Sequence, residues 1–261
     1  ETTARRRAST SLTPATSDGF TTVLAITEVY VKNLLKVADG VNPVTQLSGA
    51  AAIRSCAVND NPGSTWKGTL YLTRRNNSGV AGEIGPGAVF YWKGNQVLRS
   101  SGPDFAVPDG SFVNDPAIFD LTTGNAAWGI DVADDDYVYV TGLNKGSVAR
   151  YNPDGTNPVV VIPTGFGDGQ FVRQMTVNGK GLGTTIWYVN AQRKVQKWTA
   201  TAVDGNNAPT AFAKADLFTT QDGGSQMHQI VVNEAGDTLF YSMYAASPYF
   251  PPQKYTTSGA R

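Results

Sequence analysis

Apolar and polar positions alternate in short runs along most of the chain, and clusters of Gly, Asn, Asp and Pro separate the runs. That period of two over four to seven residues predicts half-buried β-strands joined by tight turns. Four segments can be laid over one another. Their first strands read RSCAV (54–58), WGIDV (128–132), RQMTV (173–177) and HQIVV (228–232). Their second strands read TLYLT (69–73), YVYVT (137–141), TIWYVN (185–190) and TLFYSM (238–243). Third strands follow as AVFYWKGN (88–95), SVARYNPDG (147–155), KVQKWTATAVDG (194–205) and PPQKYTTSGAR (251–261), carrying Trp92, Tyr151, Trp198 and Tyr255 in the same place. Fourth strands are expected at QVLRSS, PVVVIP and TAFAKADLF.

The valines that close the first strands, Val58, Val132, Val177 and Val232, are 74, 45 and 55 residues apart. Cys56, Ile130, Met175 and Ile230 stand two residues before them, on the same face, so Cys56 is expected to be a small core residue. A weaker fifth copy, LLKVADGVNPVTQLSG (34–49), lies over VARYNPDGTNPVVVIPTG (148–165). Four short strands per repeat of about 45 residues is the pattern of a β-propeller blade. The expected fold is therefore an all-β propeller of four-stranded antiparallel blades, with about five recognisable repeats. Blades are placed at 20–49, 51–101, 126–165, 171–217 and 225–261, with an insertion or degenerate blade at 102–125. Residues 1–18 lack apolar periodicity and read as an extended or disordered arm before a propeller domain at 19–261. The last repeat stops after its third strand. Either GFTTVLAIT (19–27) closes the ring as a fourth strand, or the chain is a piece of a longer assembly.

The stretch WGIDVADDDYVYVTGLNKGSVARYNPDGTNPVVV resembles an NHL-type blade, with its G-I-D-V start, acidic turn and V-x-R-Y-x-P-D-G hairpin. QIVVNEAGDTLFYSMY is similar to the matching stretch of SMP-30-like propellers. The likeness is good over 126–261 and loose over 20–101. It implies a propeller of six or seven blades, a fold that serves lactonases, lyases and non-catalytic binding modules alike. In the lactonases it implies a Glu, an Asn and an Asp around a divalent cation. Asn59, Asp60, Asp131 and Asn178 lie near the corresponding strands here, but no glutamate holds an equivalent place.

Composition narrows the chemistry. Lys plus Arg and Asp plus Glu each total 21, so no global field favours nucleic acid. No apolar run is long enough to span a membrane as a helix. Charged residues are only 16 % of the chain, and the polar surface rests on Thr, Ser, Asn, Gln and Gly. That balance, with a start at Glu1, points to an extracellular or cell-surface protein. One cysteine excludes an intrachain disulfide, and one histidine excludes two-imidazole metal sites.

Propeller ligands meet the mouth of the central channel. The register puts Arg54, Trp128, Arg173 and His228 there, followed by Gln174 and Gln229. Two arginines and a tryptophan suit an anionic or sugar-like ligand. The competing reading is that these side chains plug the channel. His228 could act as a general base in a metal-dependent hydrolase or lyase, but no catalytic group is assigned and no cofactor is expected. Tyr249 and Phe250, in a Pro-rich loop, are candidate contacts for a protein partner or an extracellular assembly, and a glycan is a further possible ligand. Asn76 heads a glycosylation sequon. Asp134–Asp136 align with turn sequences in the other repeats and read as a hairpin turn, with a surface calcium as the alternative.

Overall fold

A computed structural model describes residues 53–74, 89–93, 109–112, 127–142, 146–163, 174–189, 194–219, 226–233, 235–244 and 253–260. Among these described residues, fifteen strands fall into four antiparallel sheets, each with its strands in sequence order. Blade I holds β1 (Ile53–Val58), β2 (Leu70–Arg74), β3 (Val89–Trp92) and β4 (Gly110–Ser111). Blade II holds β5 (Ala127–Val132), β6 (Val138–Gly142), β7 (Val148–Tyr151) and β8 (Val159–Ile162). Blade III holds β9 (Met175–Asn178), β10 (Thr185–Val189), β11 (Lys194–Val203) and β12 (Pro209–Thr219). Blade IV, three-stranded among the described residues, holds β13 (Gln226–Val232), β14 (Thr238–Tyr244) and β15 (Gln253–Thr256). First strands pack on first strands, β1 on β5, β5 on β9 and β9 on β13, and the sheets stack face to face. This is a β-propeller, with the first strand of each blade innermost.

The alternation seen in the sequence is what glues the blades. Ile130 and Val132 face back into a core shared with Ala57, Tyr71 and Tyr91 of blade I. Met175 and Val177 face back onto Tyr139, Val148 and Ile162 of blade II. Ile230 and Val232 face back onto Trp187, Val189 and Val195 of blade III. The closing valines of blades II to IV therefore all pack on the blade before them. Cys56 belongs to the same set, yet it is exposed, which overturns the expectation of a core residue. Its side of β1 points away from blade II, so none of the described blades covers it. Val231, on the forward side of β13, is 41 % exposed for the mirror-image reason.

At the outer edge of blade I, Gly110–Ser111, within the stretch expected to be an insertion or degenerate blade, pairs beside β3. Phe112 anchors it: the ring is buried, 4.8 Å from Tyr151 and 5.9 Å from Tyr71. Gly110 lies so close to the Tyr91 ring that a Cβ would collide with it. The QVLRSS segment, the 20–49 repeat and the 19–27 closing strand lie outside the described residues.

Polar residues on the forward faces of the first strands clasp the next blade. Asp131 is 1 % exposed; one carboxylate oxygen accepts from the Val177 amide of blade III at 2.8 Å, the other from Val132 at 3.0 Å. Thr176 repeats the device one blade on, donating to the Ile230 carbonyl at 2.9 Å. Thr73 of β2 donates to the Trp128 carbonyl at 2.7 Å. Removing one partner of such a bond strands a buried backbone group. Asp131→Ala is expected to lower unfolding free energy by about 2–3 kcal/mol, read as a lower urea midpoint at unchanged slope.

Candidate channel-mouth site

The first strands start at one end of the propeller and reach their turns at the other. At the starting end three of the four first strands, β1, β5 and β13, depart from regular pairing, whereas β9 pairs with β10 in unbroken register. In β1 the register to β2 slips between Ile53 and Ser55, leaving Arg54 as the extra residue. In β5 it slips between Ala127 and Ile130, at Trp128–Gly129. In β13 it slips between Met227 and Gln229, at His228. A bulge puts two residues opposite one and re-aims the side chain it carries. Three of the predicted mouth residues thus stand on equivalent bulges. The backbone groups freed in β5 find new partners: Gly129 N–H donates to Thr141 Oγ1 at 2.8 Å, while Thr73 takes the Trp128 carbonyl.

The side chains meet across blades. The Arg54 guanidinium lies over the Trp128 ring, 4.6 Å from its centroid. Trp128 is buried and Arg54 half-buried. Gln174 Nε2 donates to Ser55 Oγ at 2.5 Å, reaching from blade III past blade II to blade I. That bond places both residues close to the axis on which the inner strands converge. The arrangement offers a flat cation–aromatic stack beside an amide–hydroxyl pair. Such a surface can bind a planar or carboxylate-bearing ligand through stacking and charge-assisted hydrogen bonds. For His228 and Gln229 the backbone alone is described. Arg173, Tyr249, Phe250 and Asn76 lie outside the described residues.

The opposite end is built differently. Asp134–Asp136 form the turn between β5 and β6, as their alignment with other turns predicts. The turn is bonded on both sides. Asp136, at φ 72°, accepts from Asn59 Nδ2 at 2.9 Å, Asn61 Nδ2 at 3.1 Å and Ser64 Oγ at 2.6 Å, all on blade I. Asn61 Nδ2 also donates to the Asp134 carbonyl at 2.8 Å. Towards blade III, the Asp134 amide donates to the Gly179 carbonyl and Asp135 accepts from the Gly181 amide, both at 3.0 Å. Asn178 continues the series, donating to the Asn233 carbonyl of blade IV at 3.4 Å. Of Asn59, Asp60, Asp131 and Asn178, the residues near the lactonase-type positions, Asn59 and Asn178 sit at the turn end and stitch blades together, and Asp131 bonds the Val177 amide. Among the described residues no three His, Cys, Asp or Glu side chains gather as a metal-binding group.

One ion pair reinforces the outer half of the same interface. Arg150 of β7, 1 % exposed, reaches Asp204 of the β11–β12 turn at 3.4 Å, with its guanidinium 4.7 Å from the Tyr137 ring. Asp204 is held below the usual carboxylate value by the Ala208 and Asn206 amides first, with Arg150 adding to them. Nothing in the sequence pairs position 150 with 204; the contact exists only because the blades stack.

No known family model matches the sequence, and no curated protein does. Solved structures are similar in shape. Virginiamycin B lyase from Staphylococcus aureus matches at 15 % identity and TM-score 0.43, covering 75 % of this chain and 50 % of that one. A nidogen/laminin complex matches at 11 % and 0.48, with 80 % and 62 % covered. The Dos1 propeller matches at 10 % and 0.48, with 82 % and 49 % covered. The chain thus spans between about half and three-fifths of the length of these structures.

Two outcomes are expected for the turn end. Asp136→Ala removes the acceptor for three side chains and costs about 1–3 kcal/mol, whereas Asp134→Ala, at an exposed side chain, changes stability by less than about 0.5 kcal/mol; chemical denaturation of both variants separates them. For Asp204 the folded carboxyl ionises below its unfolded value of 3.8, so its contribution is complete above that pH and disappears as pH falls through the lower folded value. Asp204→Asn should flatten that part of the acid limb in a melting-temperature series from pH 7 to pH 2.

Proposed function

We propose that the protein is a non-catalytic propeller of the NHL and SMP-30-like kind, a binding or assembly module that takes a small anionic or sugar-like ligand at its channel mouth. The observation that carries this reading is the stack of Arg54 on Trp128, raised on equivalent bulges of two neighbouring blades. A bulge interrupts ladder hydrogen bonding, and proteins keep such interruptions where a side chain must be re-aimed. A guanidinium laid flat on an aromatic ring holds its planar N–H fork in one orientation, which suits recognition of a carboxylate or sulfate. Arg173, His228 and Gln229 are assigned to the same mouth by their register, and Gln174 by its bond to Ser55. Tyr249 and Phe250 are assigned to contact with a protein partner, on a protein working outside the cell or at its surface. Location of Asn59 and Asn178 at the far end favours binding over lactonase-like metal chemistry, for which no residue is assigned and no cofactor invoked.

The test is a fluorescence titration with uronic-acid oligosaccharides, sulfated disaccharides and their neutral counterparts. Saturable quenching is expected with an anionic member. Trp128→Ala should remove it, and Arg54→Ala should weaken it at least about tenfold, with a cooperative melt retained. Absence of saturable binding across the panel, or unchanged affinity in both variants, would overturn the mouth as a binding site.

A further inference from the structure

Between blades II and III, a group of buried polar atoms lacks partners within the protein. The hydroxyl of Tyr139, the hydroxyl of Thr184, the Oδ1 of Asp135 and the Nε of Arg150 are all shielded from solvent without a hydrogen bond. Tyr139 and Thr184 are both 0 % exposed. They are not scattered. Tyr139 and Arg150 are directly opposed in the β6–β7 ladder, so both side chains rise from the same face towards blade III. Thr184 stands just before β10 on that blade, and its hydroxyl lies beside the Tyr139 phenol without forming a hydrogen bond to it. Asp135 stands in the turn just before Tyr139 and is fixed by the Gly181 amide through its other oxygen. Tyr139 also feels the charges of Asp135 and Arg150. The ladder pairing of Tyr139 with Arg150 and the bond from Gly181 to Asp135 bring the four groups to one stretch of the seam between blades II and III.

Burying four polar groups unsatisfied would cost several times the roughly 1–3 kcal/mol of a single one, and native proteins do not leave such groups together. A set containing carboxylate acceptor, guanidinium donor and two amphoteric hydroxyls matches one molecule best. Water donates to the carboxylate, accepts from the N–H, and does either with a hydroxyl. A metal cation fits poorly, because the Arg150 guanidinium shares the site and the donor set has a single carboxylate. We propose that the blade II–blade III interface contains a structural hydration site, in which ordered water bridges Asp135, Tyr139, Thr184 and Arg150. Burial raises the Tyr139 phenol far above its ordinary value, so its hydroxyl remains a neutral donor throughout the usual pH range. The bridge makes the turn of blade II, the Arg150–Asp204 pair and the start of β10 one connected polar unit.

A high-resolution crystal structure, with the melting temperatures of Tyr139→Phe, Thr184→Val and the double variant, tests this. Expected are discrete density about 2.7–3.1 Å from the Tyr139 and Thr184 hydroxyls and from Asp135 Oδ1, and a drop of several degrees in each single variant. Because one bridge serves both hydroxyls, the double variant should melt well above the sum of the two losses. Density refining as a metal ion with contacts near 2.0–2.5 Å would overturn the proposal. So would direct Tyr139–Thr184–Asp135 bonds with no molecule between them, or strictly additive losses.

Discussion

The constraint on which the structure depends is that a four-stranded sheet has two faces and each must be buried. In the described blades the backward face does this with hydrocarbon: Ile130, Val132, Met175, Val177, Ile230 and Val232. The forward face of the innermost strand has a different duty. It meets the backbone of the next blade, where amides and carbonyls are exposed to the seam. Asp131 and Thr176 satisfy those groups where no ladder partner is available. Apolar packing supplies adhesion, and the buried Asp and Thr set the height at which one blade sits on the next.

The two ends of the inner strands have opposite characters. At the turn end, the connections of blades I and II spend their polar side chains on neighbouring blades. Asp134–Asp136 bond blade I on one side and blade III on the other, through the Asp135 and Asp136 carboxylates and the Asp134 backbone. The mouth end is left irregular, with its side chains meeting each other across blades. Rigid stitching at one end permits a loosely specified surface at the other, because the strands between them are fixed in register.

Much of this was legible in the residues. Period-two alternation located the strands, and the spacing of Val58, Val132, Val177 and Val232 located the blades. The acidic triplet aligned with NEAGD and NGKGLGT as a turn. What could not be read is anything that depends on which blade faces which. Alternation says that Cys56 shares a side with Ile130; it does not say that Ile130 has a blade behind it. Asp136 reads as a turn residue, while its bonds to Asn59, Asn61 and Ser64 span more than 70 positions. Gly110–Ser111 is too short to leave a periodic trace, and its pairing rests on the Phe112 ring. Bulges are equally silent, since inserting one residue leaves both flanking patterns intact.

That silence has a consequence for how such a protein changes over time. A bulge decouples the residue it carries from the register of the strand. At positions 54 and 228 charge, size or aromaticity can change while Ile230 and the closing valines keep their places in the core. Position 128 is bulged as well, but its tryptophan is buried, so its size stays tied to the packing of the seam.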